Sequence, residues 1–307
     1  VLSRIAESLF WIGRYVERAD NTARLLDVHL NVLLEDPWVD EPAANASLLA
    51  VMHVKAGSRV SREEVLSALG TDPKLSSSIT GTMGAARDNA RRAREVISTE
   101  VWESLNTTYM QLDSRARTPR PHDFLTWVRE RAAVVWGLHS ATTSRDDAWH
   151  FMEVGRSLER ADMIARMLMM RSLEGTTGPN WTTLLRSCSA HEAYLRTVRS
   201  LVTEERAAEF LLIDRLFPRS IAYNLDKVET TLALIEPGLA RNSLTDQARL
   251  ALGRARTNLE YQSIEDILED LPVQMQHVQS ACATASDLIR DRFFLPASSV
   301  MWSQEAV

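Results

Sequence analysis

Two short stretches of this chain carry residue types from which an anion site or an acid–base pair is built. Residues 13–24 read GRYVERADNTAR and residues 155–166 read GRSLERADMIAR. The first places Arg14, Glu17, Arg18, Asp20 and Arg24 within about three helical turns, and the second does the same with Arg156, Glu159, Arg160, Asp162 and Arg166. Arginine presents a planar fork of donors that matches a carboxylate or a phosphate. A Glu in a cleft becomes a general acid or base if its pKa is raised, but adjacent arginines work the other way by stabilising the ionised form. Arg219 and Ser220 form a further candidate, because free N–H groups at a helix start beside a guanidinium hold an anion. The commoner role of Ser at such a position is an N-cap.

The two stretches match at eight of twelve positions without a gap, where average composition gives roughly one. Their offset is 142 residues (155 − 13). The same offset pairs Asp72 with Asp214, Ser78 with Ser220 and Ile79 with Ile221. This period is far longer than a solenoid repeat, so we expect a duplicated helical bundle with a pseudo-two-fold axis. Residues 1–142 would be the first repeat and 143–295 the second, packed as one domain, with a loose tail over 296–307.

Placed on a helix, Ile12, Val16, Ala19, Ala23, Leu26 and Leu30 share one face and form a core stripe. Arg14, Glu17, Asn21 and Arg24 gather on nearly the opposite face. A solvated face with local ion pairs would contribute only about 0.2–0.5 kcal/mol per pair. Against that reading, Phe10, Trp11, Leu25 and Val28 flank the charged stripe, and both copies keep Arg as Arg. The expectation is a partly buried Arg/Glu network where the two long helices meet, with Glu17 near Arg166 and Glu159 near Arg24. Such a network serves either as a structural lock or as a binding site.

The elements that must position these residues read as helices throughout, with few alternating β-branched runs and no Asn-Gly turn. The segments are Leu2–Leu34, Asn45–Lys55, a short helix opened by the capping box Ser61–Glu64 and ended at Gly70, and Ser76–Arg117 with a break near Ser98-Thr99. Phe124–Thr142, Asp146–Leu173, Trp181–Thr203, Glu204–Leu216, Pro218–Ile235, Leu244–Leu268 and Val273–Phe294 follow. Prolines fall mostly between these segments, Pro272 between the last two. The fold class is therefore all-α.

Composition narrows the function classes. The 307 residues are 45% hydrophobic and 25% charged with a formal net charge of −6, which lacks the basic excess of a nucleic-acid binder. No apolar run reaches membrane-spanning length and residues 1–30 are too charged for a signal peptide, so the expected location is cytoplasmic. Val1 opens directly into a helix-like stretch, as an alternative start or a cut from a longer chain would. Cys188 and Cys282 match no zinc or redox spacing and are expected as buried thiols. The eight tryptophans read as packing. There is no P-loop, Rossmann glycine pattern, HExxH or GxSxG motif, so no cofactor is assigned. Asp147-x-x-His150-x-x-Glu153 has no counterpart at Arg4–Trp11 and falls short of the paired Glu-x-x-His of di-iron bundles, so no metal is assigned either.

With these residues in view, the chain resembles the alpha-E family, a bacterial all-helical domain with Glu/Arg-rich motifs. The resemblance covers nearly the whole chain. It rests on LSRIAESLFWIGRYVERADNTARLLDVHLNVLLEDP, ARDNARRAREVISTEVWESLN, FMEVGRSLERADMIARMLM, WTTLLRSCSAHEAY and FLLIDRLFPRSIAYNL. A departure sits at Lys74–Ser78, where the family tends to show an Asn-Pro-Ser-Ser-like helix start. The resemblance implies partners: such domains are typically encoded beside, or fused to, circularly permuted ATP-grasp proteins and transglutaminase-like proteases. It therefore implies a system that makes and cleaves peptide or amide bonds.

Three roles follow from the residues and the resemblance together. The chain is a helical component that docks an ATP-grasp ligase or presents its peptide substrate; or an enzyme with Glu17 or Glu159 as acid or base; or a structural helical oligomer. A raised carboxylate pKa in a cleft would favour the enzyme.

Overall fold

The computed structural model describes residues 2–35, 38–172, 179–236 and 246–294. Among the described residues all regular structure is helical, and no helix is long and apolar enough to cross a membrane. The expected tail over 296–307 and the expected helix start at Leu244 lie outside these residues, as do Asp36 and Pro37.

In chain order the helices are α1 (Ser3–Glu35), α2 (Glu41–Val51), α3 (Arg62–Val65, continued by a π-turn over Leu66–Thr71), α4 (Ile79–Arg92), α5 (Thr99–Ala116), α6 (Pro121–Thr142) and α7 (Asp147–Met169). After them come α8 (Trp181–Ser187), α9 (His191–Val198), α10 (Glu204–Leu212), α11 (Ile221–Ile235), α12 (Gln247–Glu260), α13 (Ile264–Glu269) and α14 (Leu271–Ile289, continued over Arg290–Phe294).

Local chemistry explains most of the boundaries. Ser61 and Glu64 form the reciprocal capping box that opens α3. Ser98 accepts from the Val101 N–H, starting α5 where the break was expected. Pro121 and Pro272 lie in the first turns of α6 and α14, where a missing N–H costs nothing, so these helices start at or just before the prolines rather than after them. Leu244–Leu268 was expected as one helix; α12 ends at Glu260 and Ser263 caps α13.

Around α1 and α7 the helices form two similar groups. α1 packs on α4 and α6, with α5 joining those two; α7 packs on α11 and α14, with α12 joining them. α1 and α7 pack along each other, and one apolar core runs from Ile5 to Phe294. Two glycines set how closely they approach. A Cβ on Gly13 would collide with the Met152 carbonyl, and one on Gly155 with the Phe10 carbonyl. Only a residue without a side chain permits that backbone contact.

Candidate functional site

α1 is buried on nearly every side, including the face expected to be charged. Ile12, Val16, Ala19, Ala23 and Leu26 are sealed in the core, while Glu17 and Asn21 are equally inaccessible and Arg14 and Asp20 nearly so. α7 repeats this with Glu159, Arg160 and Asp162 buried. Such charges survive burial only when paired and hydrogen-bonded, and here α1 and α7 supply each other's partners.

Arg160 meets Glu17 as a fork, Nε to Oε1 at 2.6 Å and Nη2 to Oε2 at 2.8 Å. Asn21 Nδ2 adds a bond to Oε1 at 2.9 Å, and Arg156 and Arg219 stand 3.7 and 3.6 Å from the carboxylate. On the other helix Arg18 forks onto Glu159, Nε to Oε1 at 2.5 Å and Nη2 to Oε2 at 2.9 Å, and Arg14 Nε reaches Oε2 at 2.5 Å. The expected meeting of the two motifs is present, but its pairing is not the expected one: Glu17 does not meet Arg166, nor Glu159 Arg24. Contacts between Phe10 and Gly155, Arg14 and Glu159, and Glu17 and Arg160 advance together along both helices, so α1 and α7 run parallel and nearly level. Arg166 is level with Arg24, seven residues beyond Glu17, an offset of roughly 10 Å along the axis at about 1.5 Å per residue.

Arg24 and Arg166 instead bind the aspartate one turn back and then the end of a short helix. Arg24 Nε lies 3.0 Å from Asp20, and its Nη1 donates to Ser189 Oγ at 2.6 Å and to the Ser187 carbonyl at 3.4 Å. Arg166 Nε lies 2.8 Å from Asp162, and its Nη1 donates to the Val51 carbonyl at 2.7 Å beside His53 Nδ1 at 3.2 Å. Ser189 and His53 both have positive φ, 50° and 56°. Trp181–Thr203, expected as one helix, breaks at that serine into α8 and α9. No glycine marks either turn, so His53, Ser187 and Ser189 had no sequence signal.

Arg219 and Ser220 lie at the same centre. Arg219 Nη2 is 2.6 Å from Asp20 Oδ2 and its Nη1 donates to Asn21 Oδ1 at 3.0 Å. Ser220 accepts from the Tyr223 N–H at 3.1 Å and donates to the Asp214 carbonyl, which makes it a cap. Ser78 caps the Gly81 N–H at 2.9 Å and donates to the Asp72 carbonyl, the same arrangement at the offset of 142.

Burial alone would push the Glu17, Asp20 and Glu159 carboxyls up, but the arginines overcome it and hold all three below their ordinary values. Burial would strip the proton from Arg219 and Arg18, and their carboxylates reverse that too. These groups stay ionised at neutral pH. Arg18, Arg24, Arg160, Arg166 and Arg219 each commit two or more guanidinium nitrogens to partners within the chain, so these forks are not open cradles for an external carboxylate.

Beside the network, a cleft of about 350 Å³ is lined by Arg18, His53, Ser76, Ser77, Glu159 and Asp162, among others. Across the bundle His139 stacks on Trp149 at 4.1 Å, and burial lowers its pKa to about 3. Cys188 and Cys282 are buried free thiols. Three tryptophans, Trp127, Trp136 and Trp181, are buried, whereas Trp38 is 94% exposed. Among the described residues no three of His, Cys, Asp or Glu gather as a metal site; Glu153 faces His139 at 4.0 Å and Arg156 at 3.4 Å.

The fold and the network define an all-helical domain organised around repeated Glu-Arg pairs. The chain belongs to the Alpha-E family, described as a predicted alpha-helical domain with a conserved ER motif, whose model matches residues 1–294. Of the four Glu-Arg dipeptides in this chain, Glu17-Arg18 and Glu159-Arg160 are the two that lie in the matching stretches of α1 and α7. Among its relatives are uncharacterized proteins of Mycobacterium bovis and Mycobacterium tuberculosis, each 22% identical over 328 residues that cover 93% of this chain and 36% of the relative. The chain thus spans about a third of the length of these relatives. No solved structure matches it.

Proposed function

We propose that this chain is a non-catalytic helical component of a peptide- or amide-ligating system, docking a circularly permuted ATP-grasp protein or presenting its substrate. The observation that carries the non-catalytic half is the state of Glu17 and Glu159. Each is fully buried, flanked by two or more arginines and held ionised, so neither has a proton to give near neutral pH. The resemblance supplies the ligase partner, and a transglutaminase-like protease is a second partner on the same ground. The relatives carry this unit within much longer chains, which suits a module that serves other domains.

The repeated bonds at Ser78 and Ser220 and the two similar helix groups support descent from a duplicated bundle with a pseudo-two-fold axis between α1 and α7. On this reading the units are residues 1–142 and 143–295, and the network is the seam that holds them in register. A cytoplasmic location goes with the same proposal.

The test is co-expression with the ATP-grasp protein encoded nearest to this chain, followed by an ATP-hydrolysis assay over a panel of peptides and amino acids. Turnover that needs this chain, and survives Glu17→Gln with Glu159→Gln while fold and complex persist, supports docking. Loss of turnover with fold and complex intact moves the network into the active site, and absence of any complex removes the partner.

A further inference from the structure

The residue before each capping serine differs between the two helix groups in a way that leaves a cleft in one of them. Before Ser220 stands Arg219, whose guanidinium fills the space beside Glu17, Asp20 and Asn21 and is only 13% exposed. Before Ser78 stands Ser77, whose hydroxyl turns away to the Ala68 carbonyl at 2.9 Å. Beside Ser77 lies the cleft of about 350 Å³, walled by Glu159, Asp162 and Met163, the residues that correspond at the offset of 142 to Glu17, Asp20 and Asn21. His53 and Ser76, both exposed, form its mouth.

The carboxylates of this wall hold unused acceptor capacity. Asp20 binds Arg24 and also Arg219, whereas among the described residues Asp162 binds Arg166 alone. Glu17 and Glu159 each accept three side-chain hydrogen bonds, but differently placed: Glu17 Oε1 accepts from both Arg160 and Asn21, whereas Glu159 Oε1 accepts only from Arg18, its remaining bonds from Arg18 and Arg14 going to Oε2. Asp162 is 7% exposed and Glu159 fully buried, so neither lone pair is well served by bulk water.

We propose that this cleft binds a guanidinium group, the side chain of an arginine presented by a ligand, with Asp162 and Glu159 as its acceptors. The chemistry is displayed within the same molecule by Arg219. Arg18 and Arg166 also face the cleft, yet Arg160 and Arg24 stand in the same relation to Arg219, which is nonetheless held firmly protonated. Met163, in place of Asn21, and Met52 offer apolar surface for the aliphatic stem. A planar fork addresses two carboxylates set side by side better than a compact ammonium does. This site stands on its own observations and does not depend on the ATP-grasp reading.

Calorimetric titration of the full chain with L-arginine, L-lysine, L-citrulline and the capped peptide Gly-Arg-Gly tests it. The expected result is saturable binding of an arginine probe, about tenfold or more tighter than lysine or citrulline, as a charge-assisted fork requires. Binding of the peptide but not free arginine assigns the source as a polypeptide, and the reverse assigns a free metabolite; both support the site. Ser77→Arg supplies the guanidinium in cis and is expected to abolish binding. Asp162→Asn, which keeps the shape, is expected to weaken it about tenfold. Absence of saturable binding, equal affinity for citrulline, or unchanged affinity in Asp162→Asn overturns the proposal, whether or not Ser77→Arg folds.

Discussion

Arg160 closes on Glu17 with two parallel hydrogen bonds, 2.6 and 2.8 Å long, across the contact between α1 and α7. Both side chains are sealed from solvent, so removing one partner leaves a buried charge without compensation. Glu17→Gln is therefore expected to destabilise the chain by about 3–5 kcal/mol, read as a lower urea midpoint. The double variant Glu17→Leu with Arg160→Met, which removes both charges, is expected to recover part of that loss. A Glu17→Gln chain as stable as the wild type would mean that the pair carries no net interaction.

Acid should unfold the protein through the same carboxylates. The folded pKa values of Glu17, Asp20 and Glu159 lie below their unfolded values, so their contribution is fully present above about pH 4.5 and is lost as pH falls through the folded values. His139 adds an earlier component. Burial lowers its pKa from 6.5 to about 3, so the fold holds it neutral, and stability drains as pH falls between those values. Denaturant titrations from pH 7.5 to 3 should show both components, and His139→Phe should reduce the slope above pH 4.5, the remainder coming from His29, His53 and His150, whose pKa values burial also lowers.

The glycine contact between the long helices is open to a simple steric test. Gly13→Ala or Gly155→Ala places a methyl against a backbone carbonyl that cannot turn aside, and each should cost about 1–3 kcal/mol or more. Gly137→Ala, in α6 where nothing lies within 4 Å of the added carbon, should instead stabilise by about 0.5–1 kcal/mol. Melting temperatures of the three variants decide it: equal shifts would mean that the close approach plays no part.

Arg24 holds the turn between α8 and α9 from a distant helix. With Arg24→Ala, the amides of Ser189 and Ala190, bonded to Arg186 and Leu185, should exchange with deuterium about tenfold faster. Exchange at the Tyr223 amide, capped by Ser220, should be much less affected. Uniform acceleration across the chain would point to global rather than local loosening.

Much of this architecture follows from local chemistry, and the sequence therefore determined it. The helices, the caps at Ser61, Ser78, Ser98 and Ser220, and the meeting of two Glu/Arg motifs depend on hydrogen-bonding groups within a few residues, or on a pattern repeated at one offset. Three things were decided only by the tertiary structure. The partner of Glu17 depended on α1 and α7 running parallel and level, which no single-helix projection contains. The break at Ser189 has a positive φ that serine alone disfavours, and the guanidinium that donates to its hydroxyl comes from 165 residues earlier. Ser77 stands beside a cleft walled by Glu159, Asp162 and Met163, whereas the guanidinium of Arg219 fills the space beside Glu17, Asp20 and Asn21, a difference in sequence whose consequence is a shape in space.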